Sequence, residues 1–337
     1  MNYPKNFWYV AASADEVTDK TLARKICGLD VVIYRGSEGQ AIALQDFCPH
    51  RGLPLSMGWI EGNSIRCSYH GMLVDCEGQC ESMPGQTSIN RLNGIDSYPI
   101  AERYGYIWIW MGDASLADVE KLPKMPWGEG GDWAFGGGLY HMKCDYQLLV
   151  DNLMDLTHET YVHASSIGQH EIEESKPETT KEGDEVLLTR WMYDITPPPF
   201  WANLYGSNEK VDRWQICRFM LPSNVHIDVG VAKAGTGAPE GDRSQGISAL
   251  VCDFITPETE TSCWYFWGMA RDFKTDDEKL TDEIRQGQGA IFEEDMAVLE
   301  AQQQRLLSNP DRRLVTLDID SGGAVSRRVI QRILDKQ

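Results

Sequence analysis

The spacing of hydrophobic and polar residues divides this chain into two parts. From residue 6 to about residue 111, apolar residues come in short runs rich in aromatic and β-branched side chains, a pattern typical of strands. Two runs, Asp30–Tyr34 and Ala41–Leu44, flank the turn-forming segment Arg35–Gly39, which predicts a hairpin. The run Tyr106–Met111 is apolar on both faces and predicts a strand buried on both sides. The first part is therefore predicted to be all β.

A turn-rich segment between Gly112 and Gly138 separates the two parts. Prolines and glycines interrupt every periodic pattern there: Pro123, Pro126, Gly128, Gly130, Gly131, Gly136, Gly137 and Gly138. A chain of 337 residues is long enough for two domains of roughly 100–200 residues each. We place the junction in this segment and predict two domains, residues 1–115 and residues 116–337.

The second part mixes helical and extended patterns. A helix is predicted from Gln147 to His158, and a long amphipathic helix from about Asp276 to Leu307. Polar stretches at residues 168–185 and 233–246 are predicted to be exposed loops, and the proline-rich segment 197–201 is either a lid or a rigid connector. The predicted strands are Val186–Met192, Gln215–Met220, Asn224–Ala232, Ala249–Phe254 and Cys263–Ala270. The whole chain is therefore predicted to be α+β.

Composition and charge argue against several classes of function. The formal net charge of −20 makes nucleic acid a poor partner, because phosphate binding needs basic patches. The apolar runs fall far short of the roughly 20 residues of a membrane span, and the N-terminus carries no apolar leader. We therefore expect a cytoplasmic protein with no membrane association. The nine cysteines are an odd number, which argues against a disulfide framework.

Two Cys/His pairs in the first part carry candidate metal chemistry. Cys48 and His50 form one pair, Cys67 and His70 form the other, and sixteen residues separate His50 from Cys67. Two such loops can hold a [2Fe–2S] cluster, with both thiolates on one iron and both imidazoles on the other. A structural zinc ion is the alternative, but zinc sites usually pair Cys with Cys and His with His. The alternating order favours an electron-transferring cluster.

A second candidate site follows in the predicted helix. Asn152, Asp155 and His158 recur every three positions, and His163 comes five residues later. Residues three apart share one helix face. Two histidines and one carboxylate make the triad that holds non-haem Fe(II) and leaves positions open for oxygen. From the residues alone, the carboxylate is one of Asp155, Glu293, Glu294 or Asp295, and two helix-end histidines without a metal remain the alternative.

The chain resembles the Rieske non-haem iron oxygenase family over nearly its whole length, and within that family it is most similar to the vanillate O-demethylase branch. The cluster and iron motifs are shared by the whole family, and three further segments resemble the vanillate branch alone. The segments that carry the resemblance are Asn6–Ala11, Asp46–Gly52, Asp151–His163, Pro198–Trp201, Trp214–Phe219 and Trp264–Arg271.

The resemblance implies an architecture and a set of metal ligands. It implies an N-terminal all-β Rieske domain and a C-terminal catalytic domain with a helix-grip fold and an antiparallel sheet. His158, His163 and Asp295 match the iron ligands. Asp155 matches a residue that hydrogen-bonds an iron-bound histidine and bridges to the cluster histidine, here His70, of a neighbouring subunit. The family assembles as a trimer, and Asn152 and Asp155 are predicted to be catalytic.

The resemblance also implies a reaction. The expected activity is O-demethylation of vanillate or a similar methoxybenzoate, with O2 and with electrons from an NADH-dependent flavin and iron–sulfur reductase. In the dicamba O-demethylase relative, the positions that hold the aromatic acid match Ile227 and Asp253, which are different residue types. Arg218 and His226, on predicted strands, are further candidates for binding the substrate carboxylate. The alternatives are a Rieske oxygenase with another aromatic substrate, or an electron carrier without its own active site.

Overall fold

The computed structural model describes residues 3–88, 94–128 and 132–337. Gly130 and Gly131, named above among the turn residues, lie outside these ranges. The chain forms two compact units. One comprises the chain through Lys124 together with Thr256–Thr259, and the other comprises Met125–Ile255 and Glu260–Gln337. No helix among the described residues has the length and apolar character needed to cross a membrane.

The first unit contains only strands and short 3-10 turns among its described residues. Three antiparallel sheets form, with strand orders β1-β11-β10, β2-β3-β4-β9 and β5-β6-β7-β8. The strands are β1 (Phe7–Ser13), β2 (Leu22–Ile26), β3 (Leu29–Arg35), β4 (Ala41–Gln45), β5 (Trp59–Glu61), β6 (Ser64–Arg66), β7 (Leu73–Val74), β8 (Cys80–Ser82), β9 (Ser97–Tyr98), β10 (Ile100–Arg103) and β11 (Tyr106–Met111). The prediction of an all-β first part is confirmed.

Two specific predictions for this unit are also confirmed. Strands β3 and β4 pair antiparallel as a hairpin, with Val31 opposite Gln45 and Arg35 opposite Ala41. Strand β11 lies between β1 and β10, and all six of its residues are buried. A strand with neighbours on both sides and apolar residues on both faces is buried throughout, as its composition predicted.

The second unit is built on one antiparallel sheet of seven strands, in the order β12-β18-β17-β16-β15-β14-β13. The long helix α5 packs against β12 and β18. The strands are β12 (Ala134–Met142), β13 (Glu178–Glu182), β14 (Glu185–Ile195), β15 (Val211–Met220), β16 (Asn224–Lys233), β17 (Gly246–Thr259) and β18 (Ser262–Arg271). The helices are α1 (Tyr146–Leu153), α2 (Glu159–Val162), α3 (Glu171–Glu174), α4 (Pro199–Tyr205), α5 (Glu278–Ser308) and α6 (Ser321–Leu334). This is the predicted α+β arrangement of an antiparallel sheet gripping a long helix.

The division between units differs from the predicted 1–115 and 116–337 in two ways. The first unit continues to Lys124, because the 3-10 turns after Asp113 stay with it: the Trp8 indole Nε1 donates to the Asp118 carbonyl. The end of β17 also counts with the first unit, where Thr256 Oγ1 donates to the Val10 carbonyl. A sequence pattern does not show that the two ends of one strand belong to different units.

Several elements differ from the sequence prediction. The predicted helix to His158 ends at Leu153, and the polar stretch 168–185 contains α3 and β13 rather than an unstructured loop. Strand β12 was missed because its centre is Gly136–Gly138. A Cβ on Gly137 would lie 2.1 Å from the Trp267 carbonyl oxygen, so glycine is required here by close approach rather than by a turn. The prediction missed α6 as well.

Candidate metal centres

The first candidate centre is formed by two loops of the same backbone design. In the loop that begins at Cys48, the Cys48 amide donates to the Leu53 carbonyl and the Gly52 amide donates back to the Cys48 carbonyl. In the other loop, the Cys67 amide donates to Met72 and the Gly71 amide donates to Cys67. The two glycines have φ values of +72° and +75°, which only glycine adopts at low cost. Each loop therefore presents one Cys and one His in the same way.

The four side chains of these loops are arranged for a two-iron cluster. Cys48 and Cys67 are buried, at 2% and 1% exposure, whereas the His50 and His70 rings are exposed and lie 4.5 Å apart, centroid to centroid. Zinc would draw all four ligand atoms to one point. Among the described residues, however, the ligand atoms of Cys48, His50, Cys67 and His70 do not converge in this way, since no three of them lie together as a possible metal-binding group. Two thiols on one side and two imidazoles on the other fit a [2Fe–2S] cluster.

The second candidate centre consists of His158, His163 and Asp295, whose ligand atoms all lie within 4.8 Å of one another. The two histidines come from a short irregular segment. Helix α1 begins at its cap Asp145, whose side chain accepts a hydrogen bond from the Gln147 amide. It ends at Leu153 because Asp155 is extended and caps the next 3-10 turn through the Thr157 amide. The prediction that Asn152, Asp155 and His158 share one face of a single helix is therefore wrong.

Helix α5 supplies the carboxylate. Asp295 is 3% exposed and lies on the same stripe as the buried residues Ile284, Gln288, Ile291 and Leu299. Residues three or four apart on a helix share a face. The apolar period of this helix could therefore have singled out Asp295 from its two glutamate neighbours. That signal was in the sequence, although the residues alone left four carboxylates open.

The distances among the three groups are those of a metal site. Asp295 Oδ1 lies 3.3 Å from His158 Nε2 and 3.3 Å from His163 Nε2. Asn152 Nδ2 donates to the same Asp295 oxygen at 3.1 Å and lies 3.5 Å from His158 Nε2. Asn152, predicted from its spacing, is therefore brought to the site. Both imidazoles turn Nε2 toward the shared carboxylate oxygen, so the three donors converge.

The other ring nitrogen of each histidine, Nδ1, has a hydrogen-bond partner outside the group of three. His158 Nδ1 lies 2.6 Å from the Asp155 carbonyl oxygen, and His163 Nδ1 lies 2.7 Å from Glu294 Oε2. Such contacts fix the ring tautomer and leave Nε2 as the ligand atom. Asp155 thus contacts His158 through its backbone carbonyl, whereas its Oδ1 accepts a hydrogen bond from the Thr157 amide. Glu294 was considered only as a ligand, and its role behind His163 was missed.

Electrostatics favour a charged carboxylate at this position. Burial alone would raise the pKa of Asp295, but hydrogen bonds from His158 and His163 lower it to about 2. Burial alone would lower the pKa of each histidine, but Asp295 outweighs this and raises both. Two imidazoles and one carboxylate with a free side are the donor set that suits non-haem Fe(II).

A cavity in the second unit opens beside this centre, with about 560 Å³ of empty space that is partly continuous with solvent. Its wall is mostly apolar, as in sites for small aromatic ligands. The apolar lining residues are Leu153, Leu156, Ile167, Phe200, Trp201, Ile227, Val229, Val251, Met269, Ile291 and Phe292. The polar ones beyond the metal site are Glu159, Arg213, Gln215 and Gln288. The segment described above as a lid or connector thus supplies Phe200 and Trp201, in α4, to the wall.

The four predicted substrate residues fall on different faces of the sheet. Ile227 lines the cavity. Asp253 lies two positions from the lining residue Val251 on β17, so its side chain shares that face, and it is fully buried. Burial raises the pKa of Asp253 to about 8, although Tyr265 donates a hydrogen bond to it.

Arg218 and His226 lie opposite each other on β15 and β16, on the face away from Ile227. Because side chains alternate along a strand, neither can share a face with its neighbour Cys217 or Ile227. Arg218 forms an ion pair with Glu185 instead. Arg218 and His226 therefore do not line the cavity. The strands that carry them were predicted, but not which face of each strand borders the cavity.

Comparison with known proteins assigns the chain to a family. Residues 7–99 match the Rieske [2Fe-2S] domain, and residues 142–336 match the vanillate O-demethylase oxygenase C-terminal domain. The chain belongs to the vanillate O-demethylase oxygenase family. This Rieske oxygenase is 53% identical to the vanillate O-demethylase oxygenase subunit of Pseudomonas sp. (strain HR199 / DSM 7063), over 98% of the chain and 95% of that relative.

Solved structures support the same assignment. A crystal structure of dicamba monooxygenase bound to 3,6-dichlorosalicylic acid matches with a TM-score of 0.93 at 33% identity, covering 100% of this chain and 99% of that one. Another, of dicamba monooxygenase with non-haem iron and dicamba, matches with a TM-score of 0.86 at 32% identity, covering 100% and 98%. The predicted family, fold class and cofactors, a [2Fe–2S] cluster and a mononuclear iron, are confirmed.

Proposed function

We propose that this Rieske oxygenase removes the methyl group of vanillate or a similar methoxybenzoate, giving a catechol such as protocatechuate and formaldehyde. The observation that carries the proposal is the apolar cavity that opens directly onto the His158, His163 and Asp295 centre. An electron carrier needs no such cavity. Relatives named for vanillate O-demethylation, at 53% and 52% identity over most of the chain, support the choice of substrate.

The residues divide into those that would hold each metal group. We assign the cluster to Cys48, His50, Cys67 and His70, and the mononuclear iron to His158, His163 and Asp295. When bound, these groups supply electron transfer and O2 activation. The reaction inserts one oxygen atom into a methyl C–H bond, and the hemiacetal product breaks its C–O bond to release formaldehyde. The second oxygen atom leaves as water, with two electrons supplied by NADH.

The chain's own side chains orient the substrate and the ligands. The apolar wall around Ile227 and Val251 holds the ring and excludes water. Asn152 keeps the Asp295 carboxylate oriented through its 3.1 Å hydrogen bond. Asp253, with a pKa of about 8, would be protonated at neutral pH, so it can donate a hydrogen bond without placing a second negative charge near Asp295.

The names of the relatives as subunits or components imply a separate electron donor. We assign this role to an NADH-dependent flavin and iron–sulfur reductase. We further propose a cytoplasmic homotrimer in which Asp155 of one subunit faces His70 of its neighbour, since both His50 and His70 are exposed. Light scattering after size-exclusion chromatography tests the trimer, and a stable monomer at working concentration would refute it.

The decisive experiment is turnover of the purified oxygenase with a reductase, NADH and a panel of methoxybenzoates. The expected result is one formaldehyde and one catechol for each NADH consumed. A cis-diol product would instead identify a ring dioxygenase. Absence of formaldehyde from every methoxybenzoate would overturn the proposed function while leaving the family assignment intact.

A further inference from the structure

Gln215 is a buried polar side chain in the wall of the substrate cavity. It lies on β15, is 1% exposed and lines the cavity. Its Oε1 atom is buried and has no hydrogen-bond partner within the described residues. Buried polar atoms normally have a partner, because an unpaired one costs free energy. The cavity is the side from which a partner could come.

The orientation of this amide is fixed by its other contacts. Gln215 Nε2 donates to both carboxylate oxygens of Glu159, at 2.8 Å each. Rotating the amide by half a turn would place its oxygen against that carboxylate, where two acceptors repel. Glu159 is itself 5% exposed and accepts from Arg213 Nη2 at 3.2 Å. Gln215 therefore presents an acceptor, and not a donor, at its free end.

The position of this acceptor relates it to the iron centre. Glu159 directly follows the ligand His158 in the chain, and both residues line the cavity together with Gln215. Opposite Gln215, on β16, lies the apolar residue Val229, which lines the same cavity. An acceptor with the apolar Val229 opposite it, and close to the residue that follows a metal ligand, would meet a polar group near the reacting end of the substrate.

We infer that Gln215 is a specificity-determining residue whose Oε1 accepts a hydrogen bond from a substrate hydroxyl adjacent to the methoxy group. This inference rests on the proposed function and narrows it to phenolic methoxybenzoates, such as 4-hydroxy-3-methoxybenzoate. A carboxylate does not suit this position, because it has no proton to donate at neutral pH. The Glu159 and Arg213 side chains act as positioning residues for the amide.

The first test varies the substrate and needs no variant protein. Binding of 4-hydroxy-, 4-amino- and 4-fluoro-3-methoxybenzoate to the holoenzyme is measured by calorimetry, and kcat/KM by formaldehyde release. The hydroxyl and amino groups donate a hydrogen bond, whereas fluorine of similar size does not. We expect the fluoro compound to bind and react roughly 5- to 100-fold less well than the other two. Equal binding and kcat/KM for all three would overturn the inference.

The second test removes the acceptor. In Gln215→Leu, the preference for the hydroxyl over the fluoro compound should fall to about one. In the control Gln288→Leu, the same chemical change at another buried lining residue, the preference should persist. A preference that survives in Gln215→Leu, or collapses equally in both variants, contradicts the inference.

These measurements separate the inference from the proposed function. If the unmodified enzyme releases no formaldehyde from any of the three compounds, the proposed function fails. If it releases formaldehyde from all three without preference, the proposed function stands and the role of Gln215 fails. The ratio between substrates is the readout, because loss of a donor to Glu159 lowers absolute rates for every substrate alike.

Discussion

The cluster loops and the mononuclear centre differ in how far apart their ligands lie in the chain. Both cluster pairs fall within 23 residues, from Cys48 to His70, each pair inside one tight loop. The ligands proposed for the mononuclear iron join His158 and His163 to Asp295, on a helix from a different part of the chain. The cluster site leaves its histidines at the surface, whereas His163 and Asp295 are 1% and 3% exposed.

This difference teaches what each site depends on. The cluster loops need little beyond local backbone geometry and two glycines with positive φ. The mononuclear centre needs the second unit to be folded, because α5 must pack before Asp295 meets the histidines. Short-range sites are therefore expected to tolerate distant substitutions, and the mononuclear site to respond to changes in its supporting contacts.

The largest effect is expected from His158→Ala. Removing one of three ligands should abolish mononuclear iron binding and lower demethylation on the order of 10³-fold or more, while the visible spectrum of the cluster is retained. Iron analysis, absorbance and formaldehyde release measure this. The control His170→Ala changes an exposed histidine and should behave like the unmodified enzyme. Substantial turnover by His158→Ala would refute the assignment of this centre.

The reverse experiment removes a proposed ligand of the cluster and leaves the mononuclear centre unchanged. Cys67→Ser should remove the cluster absorbance and NADH-driven turnover but leave one iron bound at the mononuclear centre, because the two sites share no residue. Cys76→Ser changes an exposed cysteine of the same unit and should keep the cluster. Loss of both kinds of iron in Cys67→Ser would show that the two sites are not independent.

A smaller effect is expected from Glu294, which hydrogen-bonds the proposed ligand His163 but does not itself belong to the ligand set. Glu294→Gln removes the charge that holds His163 Nδ1 at 2.7 Å, so iron affinity should fall roughly 10- to 100-fold. Glu293→Gln, one residue away and near Tyr140 at 3.3 Å, serves as the matched control. Chelator competition measures both affinities. Equal losses in the two variants would show a general charge effect rather than support of His163.

The smallest effect concerns pH and the stability of the second unit. Burial raises the pKa of Asp253 to about 8, above the ordinary value near 4, so the folded chain keeps a proton that the unfolded chain releases. The contribution of this proton to the free energy of unfolding is fully present below about pH 4 and is lost as the pH rises through 8. Asp253→Asn cannot titrate and should show a smaller fall in melting temperature from pH 6 to pH 8. An unchanged pH dependence would contradict the buried, protonated state.

Local pattern was enough to predict much of the fold and the two Cys/His loops to which we assign the cluster. The cluster ligands lie next to the turns that present them, and the strands of the second unit carry strong apolar runs. Strand β12 was missed because glycines at Gly136–Gly138 signal turns, although here they permit contact with Trp267. Packing against another element decides such a case, and it leaves no trace in the segment itself.

Two properties of the site could not be predicted: which face of each strand borders the cavity, and which residues far apart in the chain contact each other. Arg218 and His226 were placed on the correct strands but on the wrong face, since one residue of register reverses every side chain. Gln215 and Glu159 lie in segments that carry the family resemblance, but no residue spacing singles them out, and Glu294 was considered only as a metal ligand. All three matter through contacts with residues far along the chain. Asp295 itself was assigned by resemblance, although the buried stripe of α5 contained the signal.

The network of Glu159, Arg213 and Gln215 has a consequence for redesign of the substrate range. These side chains both shape the cavity and hold the segment that follows a metal ligand, so changing them couples specificity to metal retention. Ile227, Val251 and Met269 line the same cavity through side chains that donate and accept no hydrogen bonds. Libraries that enlarge or reshape the site should therefore vary these three residues first, because they can alter which ring fits without displacing the iron.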